Sequence, residues 1–204
     1  MASLLNMSGE ALLNKPMMTL HWNQLVLNGN FADNSSWSKD NSTISISNNT
    51  IYIQKTSRTY GGLVIHGSFR SKTNHIYFGS LYVNEINVPT TGLYSYPVNG
   101  TTGGQAFVEA TSTGRAIGRH KDTSVRRLIL RCGVSSDAIG NNCTVSKAMI
   151  VDLTDMFGAG NEPTAAEFVA MFPYDYYDYN DGEDITGYIK ANGEFSVQPA
   201  HTNI

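Results

Sequence analysis

Short runs of alternating apolar and polar residues, separated by Gly and Asn, recur from residue 25 to residue 151. The segment 44–53 alternates isoleucine with serine or tyrosine on either side of Asn48-Asn49, which predicts a β-hairpin. Further strands are predicted at 63–65, 75–83, 92–97, 105–110 and 125–132. About eight short strands joined by turns indicate an all-β fold, namely an antiparallel β-sandwich of jelly-roll type.

The segment 75–83, HIYFGSLYV, is apolar on both faces. Tyr77, Leu81 and Val83 point to one side, and Phe78 and Tyr82 point to the other. Because a strand that is covered on both sides has no polar face, this pattern predicts a central strand or one that lines a groove.

The composition restricts the class of protein. With 204 residues, of which 15% are charged, the chain suits one sizeable β domain better than a helical protein. The net charge of −3 argues against a general nucleic-acid binder, since phosphate neutralisation needs a basic excess. The sequence contains no run of about 18 apolar residues, so membrane insertion is not expected. The N-terminus lacks the positive charge of a secretion signal, so we expect folding in a cytoplasm.

Both ends depart from the strand pattern. Residues 1–24 are apolar but irregular, and we interpret them as an N-terminal arm that packs either on its own domain or on a neighbouring subunit, with Leu12 and Leu13 as candidate assembly contacts. Residues 174–204 form an acidic, tyrosine-rich tail that is either a flexible end or orders against another surface.

A basic segment and the acidic tail have complementary net charges. Residues 115–131 carry six basic residues and one acid, whereas residues 174–204 carry six acids and one lysine. One interpretation is two solvated faces, because exposed ion pairs contribute only about 0–1 kcal/mol each. The other is that the tail lies along the basic segment, in its own subunit or the next.

Residues 148–173 predict a strand, a turn and a helix. The apolar run 148–151 is typical of a strand, and residues 158–160 form a glycine hinge. Thr164 and Glu167 have the spacing of a helix capping box. The helix presents one apolar face, made of Phe168, Met171 and Phe172. We expect this face to pack on the sandwich or on a neighbouring subunit.

Two segments resemble known modules. LVLNGNFADNSSW, residues 25–37, is similar to the opening of xylan- and glucan-binding jelly-roll modules. VDLTDMFGAGNEPTAAEFVAMF, residues 151–172, resembles the segment that closes jelly-roll modules in phage tail, baseplate and fibre proteins. Together they bracket residues 25–157 as one module, followed by the hinge and helix at 158–173.

This resemblance implies a non-enzymatic virion structural protein on a tail, baseplate or head fibre. It would be made in the host cytoplasm and displayed on the particle, with other virion proteins as partners, self-assembly as a homo-oligomer and a host-surface glycan as ligand. Two alternatives stay open: a purely structural decoration protein without sugar binding, and an accessory module of a polysaccharide-degrading system.

Glycan recognition needs flat rings with polar edges, which tyrosines supply. Tyr94 and Tyr96 are the first candidates, because they precede the Gly- and Thr-rich stretch PVNGTTGGQ, which suits a loop rim. Tyr77 and Tyr82 are further candidates. For most tyrosines of the module, packing between strands is the simpler interpretation.

The resemblance also implies one structural calcium, with Asn30, Asp33 and Asp152 as oxygen ligands. Asn30 is neutral where the resembled modules commonly have an acid. No other cofactor is expected.

Catalytic signals are missing from the sequence. Glu109 alternates with Phe107 and is positioned to face a groove, yet no second carboxylate is spaced to pair with it. The five histidines show no metalloprotease spacing and no GxSxG element occurs, so we expect no enzyme. Cys132 and Cys143 either stay reduced or face each other across a hairpin.

Overall fold

The computed structural model describes residues 18–20, 24–58, 61–100, 103–171, 175–176, 185–189 and 195–197. Its strands are β1 (Met18–Leu20), β2 (Trp37–Asp40), β3 (Ser42–Ser47), β4 (Thr50–Lys55), β5 (Gly62–Arg70), β6 (Ile76–Ile86), β7 (Thr91–Pro97), β8 (Gln105–Ala110), β9 (Gly114–Lys121), β10 (Arg126–Cys132), β11 (Asn142–Asp152), β12 (Ile185–Ile189) and β13 (Phe195–Val197). The helices are α1 (Leu153–Phe157) and α2 (Ala165–Met171).

Two five-stranded antiparallel sheets face each other. Sheet I has the strand order β2-β5-β10-β7-β8, and sheet II has the order β3-β4-β11-β6-β9. Alternate side chains of both sheets fill the space between them, as expected for sandwich packing. The predicted antiparallel β-sandwich is therefore confirmed.

The position of strand β6 in the fold explains why both of its faces are apolar. Tyr77, Leu81 and Val83 point into the core between the sheets. Phe78 points outward, into a second apolar cluster beneath the helices. The strand lies between β11 and β9, so its position inside a sheet agrees with the prediction.

The predicted hairpin at 44–53 is present as β3 and β4. Asn48 and Asn49 both have positive φ, 50° and 56°, which is the backbone that a two-residue hairpin turn requires. In the opening segment, Phe31 and Trp37 are buried in the core. Ahead of them, Gln24 forms a single bridge with Val151, and a turn follows at residues 27–30.

Strand β11 is longer than predicted and bulged. Its pairing with β6 shifts between Ser146 and Met149, and Lys147 within the shift has a φ of 55°. Helix α1, which follows directly, was not predicted. Asp152 caps it by accepting a hydrogen bond from the Asp155 amide at 3.1 Å, so the sequence signal for this helix was the Asp-Leu-Thr-Asp spacing.

Helix α2 has the predicted cap. The Glu167 amide donates to Thr164 Oγ1 at 3.2 Å, and the Thr164 amide donates to the Glu167 carboxylate at 2.7 Å. Phe168 is buried against Phe78 of the same chain, with ring centroids 4.6 Å apart, and Met171 packs at the edge of this cluster. Phe168 therefore packs on its own sandwich, which is the first of the two expected arrangements.

The other candidate assembly residues, Phe172, Leu12 and Leu13, lie outside the described residues. Nearer the module, the arm strand β1 pairs antiparallel with β12 of the tail, and β12 pairs with β13. Residues 18–20 of the arm therefore contact their own chain.

One described tail residue also meets the basic segment. Arg115 Nη1 lies 2.7 Å from the Asp175 carboxylate. For this residue, the expected docking of the tail on the basic segment is observed within one chain.

The cysteines are buried and free. Cys132 belongs to β10 of sheet I, and Cys143 belongs to β11 of sheet II. Cys132 Sγ lies 3.6 Å from the carbonyl oxygen of Ile53, which is the cross-strand neighbour of Cys143. The two thiols thus face each other across the core of the sandwich and not across a hairpin. Among the described residues no helix is long and apolar enough to cross a membrane.

Candidate functional site

The outer face of sheet I carries an ordered set of tyrosine, isoleucine and arginine side chains. On β10 the residues Leu128, Leu130 and Cys132 point into the core, so Arg127, Ile129 and Arg131 point outward. On β7 the same alternation turns Leu93 inward and Tyr94 and Tyr96 outward. We call this surface the sheet I outer face.

Strand register arranges these side chains in rows across the sheet. The first row contains Arg70, Arg127 and Tyr96, and the second contains Ile65, Ile129 and Tyr94. The third row runs through all five strands as Asp40, Leu63, Arg131, Gly92 and Glu109. Cationic, apolar and mixed-charge rows therefore follow one another along the strands.

Gly92 lets the third row close into a cluster. Arg131 and Glu109 are on strands two apart, and the glycine between them has no side chain to separate them. Arg131 Nη2 accordingly lies 3.5 Å from the Glu109 carboxylate. The Arg131 guanidinium, a hydrogen-bond donor, and the Glu109 carboxylate, an acceptor, are therefore adjacent at the surface.

Tyr94 forms the base of that cluster. The guanidinium carbon of Arg131 lies 3.7 Å above the centre of its ring, a cation–π contact. Arg131 Nη2 donates to the Tyr94 hydroxyl at 2.5 Å, and this hydroxyl donates to Glu109. Burial, together with the Glu109 carboxylate, raises the pKa of Tyr94 well above its usual value, so the hydroxyl stays protonated and remains a donor.

The loop after β7 closes over Tyr96. Gly104 lies so close to the ring that a Cβ there would come within 2.3 Å of it, so only glycine fits. Arg127 Nη2 donates to the Gly100 carbonyl at 2.7 Å, and Arg126 donates to the carbonyls of Gly103 and Ser95. The predicted loop rim is thus tied to the face by arginines.

The four candidate tyrosines do not form one group. Tyr94 and Tyr96 lie side by side, with centroids 6.4 Å apart, but are only 3% and 5% exposed. Tyr77 is in the core at 1% exposure, where its hydroxyl accepts from the Lys72 amide. Tyr82 is 40% exposed on sheet II. The ring of Tyr77 is therefore closed to a sugar, and those of Tyr94 and Tyr96 are nearly so.

Arg70 and Glu109 are the exposed charged groups of this face, whereas Arg127 and Arg131 are partly buried. The sequence placed Arg127 and Arg131 in the basic segment that the tail was expected to contact, and it gave them no role in glycan binding. The alternation Arg127-Ile129-Arg131 was visible in the sequence. The neighbours of β10 depend on the order of the strands in the sheet, and that order is a property of the tertiary structure.

The outer face of sheet II contrasts with that of sheet I. Helices α1 and α2 cover it through an apolar cluster that includes Phe78, Met149, Val151, Leu153, Met156 and Phe168. Arg119 of β9 fixes the connecting segment by donating to the carbonyls of Pro163 at 2.9 Å and Glu162 at 3.4 Å.

The predicted calcium ligands are separated in the structure. Asn30 and Asp33 accept hydrogen bonds from the amides of Ala32 and Ser35 in the opening turn. Bonds from Ser35 also lower the pKa of Asp33. The adjacent Gly29 pairs with Ala148, four residues before Asp152. At the rise of an extended strand, that places Asp152 roughly 13 Å along β11.

Asp152 belongs instead to a cluster with His75, Asp155 and Lys72. His75 Nδ1 lies 2.9 Å from Asp152 and 3.6 Å from Asp155, and the three ligand-type atoms lie within 4.8 Å of one another. The Lys72 ammonium bonds Asp155 and lies 3.8 Å from Asp152. The hydrogen bond that the Lys72 ammonium donates to Asp155 raises the pKa of Lys72. A lysine thus already supplies the positive charge at these carboxylates.

Neither a family model nor a curated protein sequence matches this chain. Among solved structures, a family 29 carbohydrate-binding module from Piromyces equi is 12% identical over 68% of this chain and 91% of its own, with a TM-score of 0.39. An arabinose-bound α-L-arabinofuranosidase is 13% identical over 64% of this chain and 26% of its own, with a TM-score of 0.41. At these TM-scores, the likenesses say nothing about the ligand of this chain.

Proposed function

We propose that this chain is a non-enzymatic structural protein of a bacteriophage virion, carried on a tail, baseplate or head fibre, which binds a host-surface glycan on the sheet I outer face. The virion role rests on the closing segment at 151–172, which resembles the segment that closes jelly-roll modules in phage tail, baseplate and fibre proteins. Other virion proteins and further copies of the chain are its proposed partners. The glycan role rests on the geometry of the face.

The observation that carries glycan binding is the pairing of Arg131 with Glu109 above Tyr94. Sugar hydroxyls both donate and accept hydrogen bonds, so two neighbouring hydroxyls fit a carboxylate acceptor beside a guanidinium donor. The Glu109 side chain is 42% exposed and that of Arg131 is 16% exposed, so both reach solvent. Stacking on Tyr94 fixes the plane of the guanidinium before a ligand arrives, which lowers the entropy cost of binding.

Separation of the carboxylates supports a non-enzymatic role. Asp40 and Glu109 are the acids on the strands of this face, and they occupy opposite ends of the third row. Four strand spacings place them roughly 19 Å apart. Glycoside hydrolysis needs two carboxyl groups about 5–9.5 Å apart, so this pair is too far apart to flank one glycosidic bond.

A decoration protein without sugar binding is the second candidate, and the burial of Tyr94 and Tyr96 favours it. Exposed rings stack on sugars, and at 3% and 5% exposure these rings offer almost no surface. In this alternative, Arg131 and Glu109 only stabilise the sheet.

A glycan array probed with the purified full chain separates the two candidates. The test compares the wild type with the double variant Arg131→Met and Glu109→Gln, which keeps side-chain volume while removing the charged donor and acceptor. We expect the double variant to bind a recognised glycan at least about tenfold more weakly, as charged hydrogen bonds contribute about 1.5–3 kcal/mol each. Glu85→Gln, an exposed change on sheet II, is the matched control.

Absence of wild-type binding across the array would favour the decoration protein. Equal binding by the double variant would move the site away from this face. The virion role is tested separately, by immunogold electron microscopy of phage particles produced with the tagged chain. Unlabelled particles would contradict it.

A further inference from the structure

The first row of the sheet I outer face holds two arginines without a counter-charge. Arg70 and Arg127 are direct cross-strand neighbours on β5 and β10. Like charges directly opposite each other on a sheet are destabilising. Among the described residues, no carboxylate lies within ion-pair distance of either guanidinium.

The hydrogen bonds of these two arginines go to neutral groups. Arg70 donates to the carbonyls of Phe69 and Gly67, and Arg127 donates to the Gly100 carbonyl. The Nε atom of Arg127 is buried and has no hydrogen-bond partner, and the same holds for the Nε atoms of Arg126 and Arg131. A buried, unsatisfied donor is uncommon in folded proteins and calls for an explanation.

The neighbouring arginines are compensated. Arg131 lies 3.5 Å from Glu109, and Arg126 lies 3.7 Å from Asp122. The positive charge that is left over is therefore confined to one end of the face, at Arg70 and Arg127.

The geometry points to an acidic glycan as the ligand, one whose sugar carries a carboxylate or sulfate group that binds at Arg70 and Arg127. This inference rests on the proposed glycan-binding function and names its substrate class. Guanidinium groups match such planar or multi-oxygen anions with paired hydrogen bonds. An anion at this position relieves the repulsion between the two arginines.

The length of the face indicates an oligosaccharide. Arg127 and Arg131 are four residues apart on one strand, which corresponds to about 13 Å. The anionic group occupies the Arg70–Arg127 end, while hydroxyls of another sugar unit contact Arg131 and Glu109. Between them lies the apolar row of Ile65, Ile129 and Tyr94.

The test measures affinity for polymers that differ only in charge. Polygalacturonate is compared with its methyl ester, and dextran sulfate with dextran, by calorimetry or biolayer interferometry on the full chain. We expect the charged member of at least one pair to bind tenfold or more tightly than its neutral partner. Preference within the first pair indicates a carboxylate, and preference within the second indicates a sulfate. In either case the difference should shrink as salt rises.

Variants locate the contact. Arg70→Gln and Arg127→Gln should each remove most of the charge preference, whereas Lys121→Gln, which removes one positive charge from exposed β9, should leave it unchanged. Arg70 is exposed, so its variant tests the inference even where Arg127→Gln loosens the loop at Gly100. Thermal melts of each variant report on folding.

Three other outcomes would contradict the inference. Equal affinity for charged and neutral members would overturn the acidic class while leaving glycan binding intact. Equally tight binding of single-stranded DNA would overturn it too, by assigning the patch to polyanions in general. If neither these polymers nor the glycans of the array bind, both the inference and the proposed glycan binding fail.

Discussion

The outer faces of the two sheets are covered in different ways. On sheet II the chain covers its own apolar surface, because α1 and α2 place Leu153, Met156 and Phe168 over Phe78. On sheet I no helix of the described residues serves as a cover, and the side chains of the face shield one another. Arg131 lies over Tyr94, and the loop at Gly104 lies over Tyr96.

Because of this difference, we expect the two faces to contribute to different properties of the protein. An apolar face that is buried by a helix contributes to folding and is closed to ligands. A face shielded by charged side chains keeps its donors and acceptors at the surface, where small rearrangements of arginine stems expose or cover the rings beneath. Substitutions should therefore affect stability most on sheet II and binding most on sheet I.

The largest stability effect is expected for Phe168→Ala. It removes a ring that is 2% exposed and packs against Phe78 and Phe157, so we expect a loss of about 3–5 kcal/mol and a clearly lower Tm. Ala170→Ser, an exposed change on the same helix, is the control. A Tm equal to that of the wild type would show that α2 contributes nothing to the fold.

A smaller loss is expected for Arg119→Met, which keeps the stem but removes the hydrogen bonds to Pro163 and Glu162. Those carbonyls lose a charged donor, at a cost of about 1–3 kcal/mol. Hydrogen exchange of the α2 amides should accelerate, since the segment that connects the helix to the sheet is released. Lys121→Met on the same strand is the control, and equal exchange in both variants would contradict the anchoring role.

On the sheet I outer face, Tyr94→Phe should cost only about 0.5–1.5 kcal/mol. The ring keeps its contact with Arg131, while the hydroxyl bonds to Arg131 and Glu109 are lost. Urea unfolding measures the difference. A loss as large as that of Phe168→Ala would mean that the two faces contribute alike to stability.

The smallest effect concerns pH. Hydrogen bonds from the Thr164 amide and hydroxyl lower the pKa of Glu167 below its ordinary value of 4.5. The folded state therefore favours the charged carboxylate. This stabilisation is present above pH 4.5 and is lost as pH falls through the lowered pKa.

Urea midpoints measured between pH 6 and pH 3 for the wild type and Glu167→Gln test this effect. The difference between the two proteins should shrink as the pH falls below about 4.5. A difference that stays constant across the range would mean that the Thr164–Glu167 bonds do not stabilise α2.

Local patterns were sufficient for much of the fold. Alternation predicted the β3–β4 hairpin and β8, and the Thr164–Glu167 spacing predicted the cap of α2. These features depend on residues close in sequence, whose hydrogen bonds and turn angles follow from residue type. Helix α1 was missed because its five residues follow a strand directly and are too short to show helical periodicity.

The candidate site was less predictable, because its parts lie on strands that only the sheet order makes neighbours. The sequence identified Tyr94 as a candidate, yet this ring is covered by Arg131, which is 37 residues away in the chain. The position of the expected calcium ligands also depends on tertiary structure: Asp152 bonds His75, and roughly 13 Å of strand separates it from the turn that holds Asn30 and Asp33.

By itself, then, the sequence determined that the chain makes short strands with polar turns, a capped helix and a low-charge β-sandwich. Only the tertiary structure decided which face the helix covers, that the thiols of Cys132 and Cys143 meet across the core, and that Gly92 brings Arg131 to Glu109. The physical reason is that turns and caps are satisfied by neighbours in sequence, whereas a surface is defined by cross-strand register between distant segments.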